Sequence, residues 1–270
     1  MASARSPPPR VPRTGESLKL RERVAIVTGS ARGIGKAIAT ACAREGARIV
    51  LCDVDARSLE AAEAEIRALG APVLSLRVDV TDGAQVTAMV EGVVRAWGRA
   101  DILVNNAGGG TGPSGLEVPD AEWDAVVDLN LKSQFLCCRA VVAPMRRQGW
   151  GRIINIASNV GRYRINTGFG GIAYSAAKGG VLQLTRSVAH ALGRDGITVN
   201  AIAPGSVLSE RGWREFEALP VELRERVLAE TPLGRFARAE EIASIVVFLA
   251  SEDASYITGA TIVANGGCST

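Results

Sequence analysis

Short β-branched and aliphatic runs recur along the chain: RVAIVT (23–28), RIVLCD (48–53), VLSLRV (73–78), ILVNN (102–106), RIINIAS (152–158), ITVNAIA (197–203) and ATIVAN (260–265). Between them, 33–45, 56–69, 82–96, 121–148, 172–194 and 239–250 space Ala, Leu, Val and Ile at helical intervals. Seven strands separated by helices predict an α/β protein built on one doubly wound parallel sheet. No internal repeat or long linker divides it, so 21–270 reads as a single domain. One stretch is irregular. Residues 206–235 are charged, contain Trp213, and fall between the sixth strand and the last helix, where an insertion at the sheet's carboxyl edge is expected to act as a small substrate lid.

Composition sharpens this picture. The chain is 47% hydrophobic but only 4% aromatic, with 30 glycines, which suits an aliphatic core and tight turns between strand and helix. Residues 1–20 are rich in Pro, Arg and Ser and have little to bury, so they read as a disordered extension. That extension carries Arg5, Arg10, Arg13 and Lys19 against Glu16, which accounts for the formal charge of +3. The rest is close to neutral and offers no electrostatic footprint for nucleic acid or an anionic membrane. Five cysteines, an odd number without CxxC spacing, argue against a disulfide framework and a zinc site, so no metal is expected. Reduced thiols, the lack of an 18-residue uncharged apolar run and the lack of a signal-peptide core predict a cytoplasmic protein.

The first strand runs into TGSARGIG (28–35) and then a helix. Gly29, Gly33 and Gly35 would let the backbone approach a pyrophosphate seated at the helix N-terminus. Asp53, 24 residues beyond Gly29, ends the second strand where a carboxylate can accept from adenosine ribose hydroxyls. It would repel a 2′-phosphate, which Arg32 would attract. Asp53 points at the hydroxyls and is followed by Val54 rather than a base, so NAD is expected over NADP.

AYSAAK (173–178) places Tyr174 and Lys178 four apart on one helical face. An ammonium near a phenol favours the phenolate and equips the tyrosine to exchange a proton. Ser158, at the end of the fifth strand, is placed to hold a substrate oxygen. Asn130, in DLNLKS, is a polar residue in an aliphatic helix, readable as part of such a site or as a packing amide.

Together these residues resemble the short-chain dehydrogenase/reductase family, a likeness that spans about 21–267. TGSARGIG matches its TGxxxGxG, Asp79-Val80 its adenine contact, NNAG (105–108) its fourth-strand motif, Pro204-Gly205 the turn beside the nicotinamide, and Asn130, Ser158, Tyr174 and Lys178 its catalytic tetrad. The resemblance implies a Rossmann-type fold, Tyr174 as general acid and base, Ser158 holding the reacting oxygen, and Lys178 binding the nicotinamide ribose. It also implies that Asn130 orders a water, and that Ile34, Asp79, Val80, Asn106 and Gly108 line the cofactor cleft. Beyond Pro204-Gly205, Val207 and Ser209 would complete it, with the Ser209 hydroxyl on the carboxamide. A homotetramer assembled through the helices at 121–148 and 172–194 is implied as well.

Ser158 and Tyr174 are 16 apart, about three more than the family's usual spacing, so the loop between them is longer. It carries Arg162 and Arg164; with Arg211 of the lid they would clamp an anionic substrate or else stand as solvated surface charges, and Trp213 would touch substrate. His190, the single histidine, lies mid-helix and suits packing or an interface. The expected function is hydride transfer between NAD(H) and a secondary alcohol or ketone. The alternatives are an NADPH-dependent 3-oxoacyl thioester reductase and a non-catalytic nucleotide-sensing module.

Overall fold

A computed structural model of the protein describes residues 18–110, 115–162, 171–208 and 210–268. Its strands are β1 (Val24–Thr28), β2 (Arg48–Asp53), β3 (Val73–Arg77), β4 (Ile102–Asn105), β5 (Gly151–Ile156), β6 (Ile197–Pro204), the short β7 (Val207–Leu208) and β8 (Ala237–Arg238), and β9 (Thr261–Ala264). Its helices are α1 (Gly33–Arg44), α2 (Ala56–Ala68), α3 (Gly83–Trp97), α4 (Asp120–Val127), α5 (Ser133–Gln148), α6 (Ile172–Leu192), α7 (Glu210–Glu217), α8 (Val221–Ala229) and α9 (Ala239–Ala250). All seven expected strands form one parallel sheet in the order β3-β2-β1-β4-β5-β6-β9. Strands β1, β5 and β6 are buried along their whole length; β1 shows this as a continuous apolar run, whereas β5 and β6 also bury the polar Arg152, Asn155, Thr198 and Asn200.

Helices cover both faces. On one, Ile38 of α1, Leu59 of α2 and Ile242 of α9 pack against Ile49 and Ile102 of the sheet. On the other, Val90 of α3, Val141 of α5 and Leu192 of α6 pack against Ile26, Leu103 and Val199. Chain direction across the sheet reverses between β1 and β4, so the crevice for a ligand opens at their carboxyl ends. No helix among the described residues is long and apolar enough to cross a membrane.

Three expectations are refined. The helix expected over 121–148 is two helices, α4 and α5, joined by a π turn at Asp128–Lys132. The side chain of Asn130 causes it: Nδ2 donates to the Val126 carbonyl at 2.9 Å, taking the acceptor that the α ladder would use, and the ladder slips by one residue. The packed body also starts before residue 21. Leu20 is fully buried in the core and the Lys19 backbone N–H donates to Glu45 at 3.0 Å; residues 1–17 lie outside the described residues. Finally, the irregular 206–235 contains α7 and α8. Phe216 of α7, 8% exposed, meets Phe236 edge to face at 4.6 Å, and β7 pairs with β8 to close the base of the insertion.

Candidate active site

β1 enters α1 through a turn that only glycine can form. Gly29 and Gly33 have φ of +62° and +57°, and a Cβ on Gly35 would stand 2.1 Å from the Gly29 carbonyl oxygen. The end of β4 holds the turn in place. Thr28 Oγ1 accepts from the backbone N–H groups of Asn106 and Ala107 at 3.0 Å, and Asn106 Nδ2 donates to the carbonyls of Thr28 and Gly29 at 2.9 Å. Arg32, the N-cap of α1, makes no side-chain cap, and the first turn holds no acidic residue. The N–H groups of that turn, with Ile34 half-buried among them, therefore remain available to an anion. The residues present thus fit a pyrophosphate-bearing nucleotide.

Asp53 borders this turn at the end of β2. Its Oδ2 accepts from the Ala31 N–H and its Oδ1 from the Asp55 N–H, both at 3.2 Å, which fixes the carboxylate beside the crevice. Arg32 pairs with a different carboxylate, Asp55, at 3.6 Å. Asp55 is the N-cap of α2, and its bonds to Ser58 hold its carboxyl below the usual range. Past β3, Val80 is buried, while Asp79 is exposed and accepts from the Thr81 N–H and hydroxyl.

The second cluster gathers around Lys178. This residue is 2% exposed, its Nζ donates to the Ile156 carbonyl at 2.9 Å, and it lies 5.5 Å from the centroid of the Tyr174 ring. Burial pushes its pKa down to about 8. Asn130 is fully buried; its Oδ1 accepts from the Gly109 N–H at 2.9 Å and its Nδ2 donates to the Gly109 carbonyl at 2.7 Å. A Cβ on Gly108 would stand 2.7 Å from Asn130 Oδ1 and 3.2 Å from Lys178 Nζ, so the missing side chain lets loop, amide and ammonium meet. Ser158 caps the turn Asn159–Gly161, accepting from the Val160 N–H at 3.4 Å. That turn presses on α6: a Cβ at Gly161 would lie 2.5 Å from the carbonyl carbon of Lys178.

The two clusters share the carboxyl edge, because Asn106 grips the glycine turn and Gly108, two residues on, abuts Lys178. Pro204 ends β6 at the same edge and Gly205 follows it, donating its N–H to the Ala264 carbonyl at 3.0 Å, with Val207 next in β7. Arg162 is exposed at the end of the Ser158 turn, and Trp213 is 44% exposed on α7. Arg164, Ser209 and the side chain of Arg211 lie outside the described residues. His190 is exposed on α6. Burial raises the thiols of Cys42, Cys52 and Cys138 to about 12, leaving them inert. Among the described residues no group of His, Cys, Asp or Glu has the arrangement of a metal site.

Sequence reasoning passed over Asp55, the Ile156 carbonyl and Gln134, a buried amide that donates to that carbonyl at 3.3 Å. A glutamine on a helix reads as surface, and a backbone carbonyl leaves no mark in the sequence.

Residues 29–269 match the family model described as Enoyl-(Acyl carrier protein) reductase. The chain is 42% identical over 245 residues to the 3-oxoacyl-[acyl-carrier-protein] reductase FabG of Staphylococcus aureus, covering 90% of this chain and 96% of that one. It is 40% identical over 248 residues to the (2S)-[(R)-hydroxy(phenyl)methyl]succinyl-CoA dehydrogenase subunit BbsD of Thauera aromatica, covering 92% and 97%. The solved structure of levodione reductase superposes with a TM-score of 0.86 at 38% identity, over 92% of this chain and 98% of that one.

Proposed function

The chain belongs to the short-chain dehydrogenase/reductase family, and from that premise we propose that it is an NAD-dependent oxidoreductase acting on a secondary alcohol or its ketone. The observation that carries the reading is the buried ammonium of Lys178 beside the Tyr174 ring. A bound nicotinamide supplies or takes up the hydride. Tyr174 gives a proton to the substrate oxygen in reduction and takes it back in oxidation, and Lys178 stabilises the phenolate between the two. Ser158 donates to the oxygen on which charge develops. Asn130 fixes Gly109 and flanks Lys178. The turn from Gly29 to Gly35 would hold the pyrophosphate, with Asp79 and Val80 on the adenosine side, Asn106 and Gly108 along the cleft between, and Pro204, Gly205, Val207 and Ser209 on the nicotinamide side.

NAD over NADP is supported by Asp53, whose carboxylate would face the ribose hydroxyls and repel a phosphate there. It is supported further by Arg32, which Asp55 already engages. Exposed Trp123 and Phe135, on α4 and α5, support assembly as a homotetramer through those helices and α6.

A second reading, an NADPH-dependent 3-oxoacyl thioester reductase, is favoured by the names of two relatives, both of which act on carrier-linked acyl groups. Arg162, Arg164 and Arg211 would then meet the anionic carrier, with Trp213 against the acyl chain. Steady-state kinetics with NADH and NADPH, on a 3-oxoacyl-CoA and on an uncharged cyclic ketone, tests both. Under the first reading kcat/KM is higher with NADH; a higher value with NADPH, seen only on the thioester, moves the assignment to the second.

A further inference from the structure

Gln134 is 1% exposed, and half of its amide is unsatisfied. Its Nε2 donates to the Ile156 carbonyl at 3.3 Å, while its Oε1 is buried with no hydrogen-bond partner among the described residues. A buried orphan acceptor is unfavourable, and leucine or methionine would fill the same space without one. The N–H that does bond goes to a particular place. The Ile156 carbonyl also receives Lys178 Nζ at 2.9 Å, and it is the one hydrogen-bond acceptor Lys178 has among the described residues.

We propose that Gln134 is a positioning residue for Lys178: it occupies the second lone pair of the Ile156 carbonyl, fixes where that oxygen points, and keeps the ammonium from having the acceptor to itself. The inference rests on reading Tyr174 and Lys178 as the proton-transfer pair. A carbonyl oxygen has two lone pairs, and here both are used. The amide hydrogens carry partial positive charge toward the oxygen that the ammonium also needs, so Gln134 disfavours the charged lysine in the same sense as burial does.

Other charges do not explain the state of Lys178. Asp120, Glu122 and Asp124 lie on α4; Asp128 and Lys132, on the π turn, pair with each other; Arg162 is exposed beyond the Ser158 turn; Arg194 and Asp195 follow α6; β6 carries no charge. On α5 the thiols of Cys137 and Cys138 are held neutral by burial. Burial lowers the Lys178 pKa, and none of these charged groups adds to that shift.

The test uses the full chain with Gln134→Met and Gln134→Glu. The Lys178 ammonium is titrated by NMR on the chain alone, with Lys178→Met assigning its signal, and alcohol oxidation with NAD is followed against pH. Both variants are expected to keep Lys178 charged to higher pH, moving its titration and the alkaline limb of kcat/KM up by about half a unit or more, with the larger shift in Gln134→Glu. Thermal stability of Gln134→Met should be equal to or above wild type. Unshifted titrations in folded variants would overturn the proposal and leave Gln134 a packing residue; should Gln134→Met not fold, the size-matched Gln134→Glu decides. The titration stands without turnover, so an inactive wild type would count against the dehydrogenase reading alone.

Discussion

Lys178 holds its ammonium nitrogen 5.5 Å from the centroid of the Tyr174 ring while only 2% of the residue is exposed. Moving a cation into that position lowers its pKa from 10.5 to about 8. Between those values the unfolded chain binds more protons than the native one, so stability without cofactor rises with pH across that window. At pH 7 the buried charge costs the fold on the order of 3 kcal/mol. Lys178→Met is therefore expected to raise the Tm at pH 7 by several degrees and to remove the rise in stability at alkaline pH, while abolishing most turnover. Calorimetry at pH 7 and pH 10 decides; a Tm below wild type at pH 7 would refute the burial argument.

Tyr174→Phe keeps the ring against Lys178 and removes only the proton carrier. General acid and base catalysis is typically worth 10² to 10⁴ in rate, so kcat is expected to fall about a thousandfold. NADH affinity, read by quenching of tryptophan fluorescence, should stay within about threefold, since the phenol oxygen is not part of the phosphate cradle. Turnover within a few-fold of wild type would remove Tyr174 from the mechanism, and a wild type that binds NADH without turning over any carbonyl would favour a sensing module.

Much of this was legible in the sequence for physical reasons. The sheet's strands are rich in Val, Ile and Leu because helices cover both faces, and their ends match the apolar runs within about two residues. The Tyr174 and Lys178 pair and the glycine turn were legible because each depends on a fixed short spacing. The π turn at Asn130 was not, since a one-residue slip leaves the apolar period almost unchanged. Gln134 was hidden because its partner is a backbone carbonyl 22 residues away. The helices of 206–235 were masked by their charge, their packing resting on a few aromatics such as Phe216.

Asp53→Ser tests the cofactor reading. Removing the carboxylate that accepts from the Ala31 N–H takes a like charge away from the position of a 2′-phosphate. The NADH to NADPH ratio of kcat/KM is expected to drop at least about tenfold, as one close charge contact of 1–2 kcal/mol would give. Adding Asp55→Asn, which leaves Arg32 without its carboxylate partner, should lower the ratio further. A ratio unchanged in the double variant would mean that neither residue reads the ribose.

Gly35 and Gly193 provide a matched pair of glycines with opposite expectations. A methyl group on Gly35 would stand 2.1 Å from the Gly29 carbonyl oxygen and 2.5 Å from Asn106 Nδ2. Neither can retreat easily, because Asn106 is bonded to that same carbonyl and Gly29 sits at a positive φ. Gly35→Ala must therefore open the turn, and it is expected to lose about 1–3 kcal/mol of stability through overpacking and to weaken NADH binding by at least tenfold. Gly193 has nothing within 4 Å of where a Cβ would stand and a helical φ of −59°. Alanine there removes freedom only from the unfolded chain, so Gly193→Ala should be neutral or stabilise by about 0.4–1 kcal/mol with NADH affinity unchanged. Denaturant melts and NADH titrations of the two variants side by side check both; equal binding in Gly35→Ala and wild type would show that the tight turn does not hold the cofactor.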